Sequence, residues 1–120
     1  MDAVELHRRV EEAFNKADVD SLVALYADDA QMVRDDGSLA VGLDAIREVW
    51  AGFAAMGGTI SMQTRFAVEQ GDVALLSNAW EFEGAGLTFG AITAEVARRQ
   101  ADGTWLYSID NPFGLTPDAP

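Results

Sequence analysis

Cysteine is absent from this chain. Its absence excludes a disulfide framework, thiol chemistry and a cysteine-bound zinc site. Histidine occurs once, at His7, so a transition-metal site would need an all-carboxylate shell, and no metal is expected. Basic side chains are scarce: 8 Lys and Arg stand against 20 Asp and Glu, a net charge of −12. Such a surface repels phosphate backbones and anionic lipid alike, so neither nucleic acid nor a membrane is an expected partner. No apolar run approaches the roughly 20 residues that cross a bilayer. The opening Met1-Asp2-Ala3 shows no signal-peptide pattern of basic n-region and apolar core. A cytoplasmic location is therefore the expectation. Proline is confined to Pro112, Pro117 and Pro120, which leaves everything before Pro112 free of proline breaks. No glycine-rich phosphate loop follows a strand and opens a helix, and no cofactor is expected.

What is present suffices for one core. The chain has 120 residues, 49% of them apolar, the size and composition of a single globular domain. Residues 1–114 read as that domain and residues 115–120 as a loose tail. Leu6, Val10, Ala13, Phe14 and Ala17 recur at helical spacing, behind a capping pattern of Asp2 and Glu5. Asp18 can cap a second, short helix whose apolar side is Val19, Leu22, Val23, Leu25 and Tyr26. Short extended pieces, Ala30 to Arg34 and Leu39 to Val41, flank a turn at Asp35-Asp36-Gly37-Ser38. A third helix carries Ile46, Val49, Trp50 and Phe53 and stops at Gly57-Gly58. From Thr59 the period becomes two. Ile60 to Gln70, Val73 to Glu83, Leu87 to Gln100 and Thr104 to Asn111 read as four long antiparallel strands joined by Gly- and Asp-rich turns. Helices first and strands second is the pattern of an α+β domain.

The order of elements, with Leu25-Tyr26-Ala27-Asp28-Asp29-Ala30, resembles the nuclear-transport-factor-2-like superfamily. Gly42-Leu43-Asp44-Ala45-Ile46-Arg47 looks like that family's glycine-led third helix, and Asp102-Gly103-Thr104-Trp105 like its last hairpin. Ile109-Asp110-Asn111-Pro112-Phe113-Gly114 looks like the strand ending of its SnoaL-like group. The resemblance covers about Glu5 to Gly114. It implies a cone-shaped roll: three helices packed in a curved, mostly antiparallel sheet of about six strands, with a deep pocket between. It also implies a sheet whose outer face is often a homodimer interface. It does not fix an activity, because one fold hosts many chemistries.

Strand alternation sorts the candidate side chains by face. Leu76, Asn78, Trp80 and Phe82 share one side of their strand; Glu95 lies with Thr93 and Ala97; Leu106, Ser108 and Asp110 oppose Trp105, Tyr107 and Ile109. Similarity to ketosteroid isomerases turns Asn78, Trp80, Phe82, Glu95, Ser108 and Asp110 into the pocket. It places Val10, Phe14 and Tyr26 over it from the helices, with Trp50 as core or wall. Trp105 and Tyr107 then belong to the outer face. The helical step puts His7 at the edge of the first helix's apolar face, a surface or rim position. The isomerase's general base is matched by Arg34 and its oxyanion tyrosine by Val10; only its acid donor has a counterpart, Glu95. An arginine stays protonated and cannot be a general base, so steroid isomerisation by that route is not expected.

Asp110 is the sharpest candidate. Apolar walls would raise its pKa toward neutrality; the alternatives are a ligand contact, an ion pair with Arg34 or a cap on the loop that terminates at Pro112. Glu95 could share that space and divide acid and base roles with it. Arg34 or Asn78 could hold a developing oxyanion. The reading is a small-molecule pocket protein of SnoaL-like type. Its chemistry would be cofactor-independent acid–base work (cyclisation, isomerisation or dehydration) on an apolar carbonyl compound. The alternative is a non-catalytic dimeric ligand-binding or association module.

Overall fold

The helical spacing near the N-terminus produces α1 (Glu5–Asn15) in the computed structural model, which describes residues 2–114. Leu6, His7, Val10, Ala13 and Phe14 are buried along one side of it. Its start differs from the expected one. Val4 occupies the N-cap without a side-chain hydrogen bond, Asp2 contributes only its carbonyl to the Glu5 N–H at 3.1 Å, and the Glu5 carboxylate turns to Arg8. Asn15 fixes the other end. Its Oδ1 accepts the Ile60 N–H at 2.7 Å and its Nδ2 donates to the Ile60 carbonyl at 2.9 Å.

Asp18 caps α2 (Val19–Val23) as expected, accepting the Ser21 N–H at 3.1 Å. That helix ends before Leu25. Tyr26 therefore opens β1 (Tyr26–Val33), a strand longer than the predicted one, instead of completing the helix's apolar side. β2 (Leu39–Val41) returns beside it after a turn in which Asp36 accepts the Ser38 N–H. Gly42, at φ 86°, holds a left-handed conformation at the N-cap of α3 (Leu43–Ala54), where a side chain would be strained.

The remaining strands are β3 (Thr59–Gln70), β4 (Val73–Gly84), β5 (Leu87–Ile92), β6 (Ala94–Arg99) and β7 (Trp105–Asn111). Seven strands replace the six expected because the long stretch from Leu87 divides at Thr93. There side chains join the one backbone bond, from the Thr93 N–H to the Asn78 carbonyl, in holding the strands together. Thr93 Oγ1 accepts the Asn78 N–H at 2.9 Å, and the Thr93 carbonyl accepts the Ser77 hydroxyl at 2.6 Å. The sheet runs β2-β1-β7-β6-β4-β3, with β5 also on β4. Only β1 and β7 pair in parallel; the other pairings are antiparallel. One irregularity decides the site. Val96 faces Ile109, but Ala97 faces Tyr107, so Ser108 is the extra residue of a β-bulge.

The core lies between the helices and the sheet's inner side, where Leu6, Phe14, Leu22, Met32, Ile46, Leu76, Phe82, Trp105 and Tyr107 are buried. Among the described residues no helix is long and apolar enough to cross a membrane. The tail expected over residues 115–120 lies outside the described residues.

Candidate functional site

The sheet and helices leave a narrow cavity of about 40 Å³, space for roughly two or three waters. Val10 and Phe14 reach it from α1, Val49, Trp50 and Phe53 from α3, and Met32, Ile60, Met62 and Trp80 from the strands. The wall is apolar, with a short polar stripe running across it: Asn78 on β4, Thr93 and Glu95 at β6, Tyr107 and Asp110 on β7, Tyr26 on β1.

Asp110 is buried, and its Oδ2 accepts the Tyr26 hydroxyl at 2.5 Å. Trp50 Nε1 donates in turn to the Tyr26 oxygen at 3.2 Å, so α3, β1 and β7 together aim this carboxyl. Among the described residues no group hydrogen-bonds its Oδ1. Loss of water raises the Asp110 pKa to about 7, the negative charge of Glu95 adds to the rise, and the Tyr26 hydrogen bond opposes it.

Glu95, by contrast, is surrounded by donors. Its Oε1 faces His7 Nε2 at 3.0 Å and accepts Asn78 Nδ2 at 2.8 Å, while its Oε2 accepts the Thr93 hydroxyl at 2.7 Å. His7 is only 3% exposed, and its Nδ1 meets Thr64 Oγ1 at 2.8 Å. The rim position expected for this histidine is therefore wrong. The helix lies across β3, so the edge of its apolar face is covered by the strand. Asn78 is wholly buried, and its Oδ1 has no hydrogen-bond partner among the described residues.

Of the residues singled out from sequence, Asp110, Glu95, Asn78, Phe14, Tyr26, Trp50 and Trp80 do line the cavity. Three do not. Arg34 sits beyond the end of β1 and its Nη1 donates to the Leu39 carbonyl at 2.7 Å, clamping the β1–β2 turn. It is Met32 that pairs with Asp110 across the strands, so no Arg34–Asp110 ion pair forms. Phe82 packs behind the wall against Phe14 and Phe89. Ser108 is displaced by its own bulge, which reverses the alternation of β7. Both Tyr107 and Asp110 consequently face inward, three residues apart. Trp105, expected outside, is likewise buried at 2% exposure.

Tyr107 is the functional candidate that alternation alone misses. Its hydroxyl hydrogen-bonds to no described residue. Burial first, then the charges of Glu95 and Asp110, push its pKa well above the usual phenol value, so it remains an O–H donor. In the cavity wall, Phe113 stacks on Phe53 with centroids 6.0 Å apart and meets Trp80 edge-on at 6.1 Å. Trp80 Nε1 donates to the Pro112 carbonyl at 2.6 Å. Gly114 holds φ 59° where any Cβ would overlap the Ile92 carbonyl. Among the described residues no three His, Asp or Glu side chains gather as metal ligands.

Known proteins share the fold and the family. Solved structures share the fold at low identity. A ketosteroid isomerase-like protein from Erwinia carotovora atroseptica superposes with a TM-score of 0.76 at 23% identity, covering 95% of this chain and 94% of that one. A protein from Streptomyces avermitilis, provisionally named a dehydratase of the NTF2-like family, gives 0.74 at 20% identity over 94% of each. A provisionally named calcium/calmodulin-dependent protein kinase type II association domain from Thiobacillus denitrificans gives 0.79 at 16% identity over 96% of each. No curated protein matches the sequence. The profile of the SnoaL-like domain matches residues 7–112, nearly the whole of the folded part, and the chain belongs to the SnoaL-like group of the NTF2-like superfamily.

Proposed function

We propose that the protein is a cofactor-independent acid–base enzyme for a small carbonyl compound, with Asp110 moving the proton. The observation that carries the reading is the state of that carboxyl. It is buried in an apolar pocket, held by Tyr26 through one oxygen, open at the other, and raised to a pKa of about 7. A group with that value is present in both protonation states near neutrality, which is where a general acid–base catalyst works best.

In the forward step the Asp110 carboxylate takes a proton from the carbon beside the substrate carbonyl onto Oδ1. The C–H electron pair moves toward the carbonyl oxygen, and the resulting enolate accepts a hydrogen bond from Tyr107. Tyr26, backed by Trp50, keeps the carboxylate oriented while charge leaves it. Return of the proton to another carbon completes an isomerisation; its delivery to a β-hydroxyl that departs as water completes a dehydration. The Arg34 clamp on the β1–β2 turn supports this reading over a purely structural Asp110, since the guanidinium that could have neutralised the carboxylate is engaged elsewhere.

The test is exchange of α-protons for deuterium in D₂O, followed by proton NMR on a panel of small ketones with and without hydroxyl groups. Asp110→Asn should abolish the protein-dependent exchange. Tyr107→Phe should slow it about 10²–10³-fold, the usual cost of one oxyanion donor. Exchange that survives in Asp110→Asn would overturn the assignment.

A further inference from the structure

We infer that the ligand of this pocket carries a hydrogen-bond donor, a hydroxyl or N–H a few bonds from the reacting carbon, and presents it to Asn78 Oδ1. The inference rests on the proposed use of Asp110 and specifies the class of compound it acts on: a hydroxy- or amino-substituted carbonyl compound.

Asn78 is locked in orientation. Its Nδ2 donates to Glu95 Oε1 at 2.8 Å, and a carboxylate oxygen accepts but does not donate, so the amide nitrogen must be the atom on that side. Its backbone is committed as well: the N–H goes to Thr93 Oγ1, and the carbonyl accepts the Thr93 N–H. The amide oxygen is left over. It lies on a residue with no exposure, in the wall of the cavity, and among the described residues nothing donates to it. Neighbouring donors are spent elsewhere, the Thr93 hydroxyl on Glu95 Oε2 and the Tyr26 hydroxyl on Asp110. Buried amide oxygens in native proteins are almost always satisfied. Here three further side chains, His7, Thr93 and Glu95, hold the unsatisfied one in place.

The position of that acceptor sets the shape of the ligand. Asn78 is on β4 and Asp110 on β7, with β6 between them, so the two strands lie roughly 10 Å apart. Both side chains reach inward from their strands, so a ligand hydrogen-bonded at one end and losing a proton at the other bridges only what they leave of that gap, which separates its donor from its reacting carbon by a few bonds. A cavity of about 40 Å³ favours a small compound. A site with a built acceptor also rejects the analogue that lacks the donor more strongly than an apolar pocket could, because the acceptor is then buried unpaired.

Three probes separate the possibilities: 4-hydroxybutan-2-one, pentan-2-one, in which a methyl replaces the hydroxyl, and 4-methoxybutan-2-one, which keeps the oxygen but cannot donate. The measurement is protein-dependent α-proton exchange in D₂O, each rate divided by the buffer rate of the same ketone. The hydroxy ketone should exchange about tenfold faster or more at equal low concentration, with the other two alike. Asn78→Leu should remove the preference if it folds; the comparison within the wild-type protein needs no variant. Equal exchange of hydroxy ketone and pentan-2-one overturns the inference and leaves the role of Asp110 standing. A methoxy ketone as fast as the hydroxy ketone also overturns it, since polarity rather than donation would then be read. Exchange of none of the three overturns the proton-transfer reading itself and the inference with it.

Discussion

Glu95 and Asp110 are direct partners across the β6–β7 ladder, and both side chains are buried. Two carboxyls at that spacing cannot both be charged without cost. Their surroundings divide them: three donors converge on Glu95, and one on Asp110. The proton of the pair accordingly resides on Asp110 until the pH reaches about 7.

A pH dependence of stability follows, with a definite sign. The Asp110 pKa rises from the ordinary 3.8 to about 7 on folding, so between those values the folded state holds a proton that the unfolded chain has released. The contribution to stability is complete below pH ~4 and is lost as pH rises through about 7. Asp110→Asn preserves an acceptor for the Tyr26 hydroxyl and removes the titration. Thermal melts at pH 5 and pH 8 should show wild type losing stability relative to Asp110→Asn at the higher pH, with the variant the more stable protein there. A wild-type-to-variant difference that stays flat across the range would show an Asp110 with an ordinary pKa.

The same pair predicts the effect of removing the other charge. Glu95→Gln retains an acceptor for Asn78 and His7 but no longer opposes ionisation of Asp110. The Asp110 pKa, followed by the carbon chemical shift of its carboxyl, should fall by about one unit or more. Burial remains in the variant, so the value should stay above the ordinary carboxylate range.

The sequence carried the fold and about half of the site, and the losses have identifiable causes. Local periodicity is enough to separate helices from strands and to find the inner face of β4, where Leu76, Asn78 and Phe82 are all buried. It fails on β7, because a parity argument has no means of detecting the extra residue at Ser108, and every side chain before the bulge is then assigned to the wrong side. Trp105 and Tyr107 were displaced by that one residue. His7 and Arg34 were missed for a different reason. The burial of His7 depends on β3, an element distant in sequence whose placement no local pattern gives, whereas Arg34 is held by the carbonyl of Leu39, five residues on, a local contact that strand parity does not register.

At its C-terminal end, α1 is tied to the sheet by the Asn15 side chain. Asn15 exchanges two hydrogen bonds with the Ile60 backbone, and Val10 and Phe14 on the same helix line the pocket. Replacing Asn15 with Ala removes both bonds, each worth about 0.5–1.5 kcal/mol. Chemical denaturation should show a loss of about 1–3 kcal/mol with an unchanged m-value, and the proton-transfer activity should fall with the precision of the helix.

The outer side of the sheet gives the last prediction. Val68, Leu75, Val96 and Ile109 lie on successive pairings of β3, β4, β6 and β7 and form one apolar row. Val68, Leu75 and Ile109 are 57%, 47% and 48% exposed. The protein's own helices cover the opposite face, so nothing within the described residues shields this row. A continuous apolar row of this kind is unusual on an otherwise acidic monomer. A second copy offers the same row back to it, self-complementary about a two-fold axis. We therefore expect sedimentation at tens of micromolar to show twice the 12.9 kDa chain mass. Leu75→Glu should return the protein to the single-chain species, because two carboxylates would then be brought together in an apolar contact. Glu at this exposed position leaves the inner core untouched, so the thermal midpoint of the separated chain should remain cooperative and measurable. A wild-type protein that sediments only as a single chain at those concentrations would assign the row to another partner.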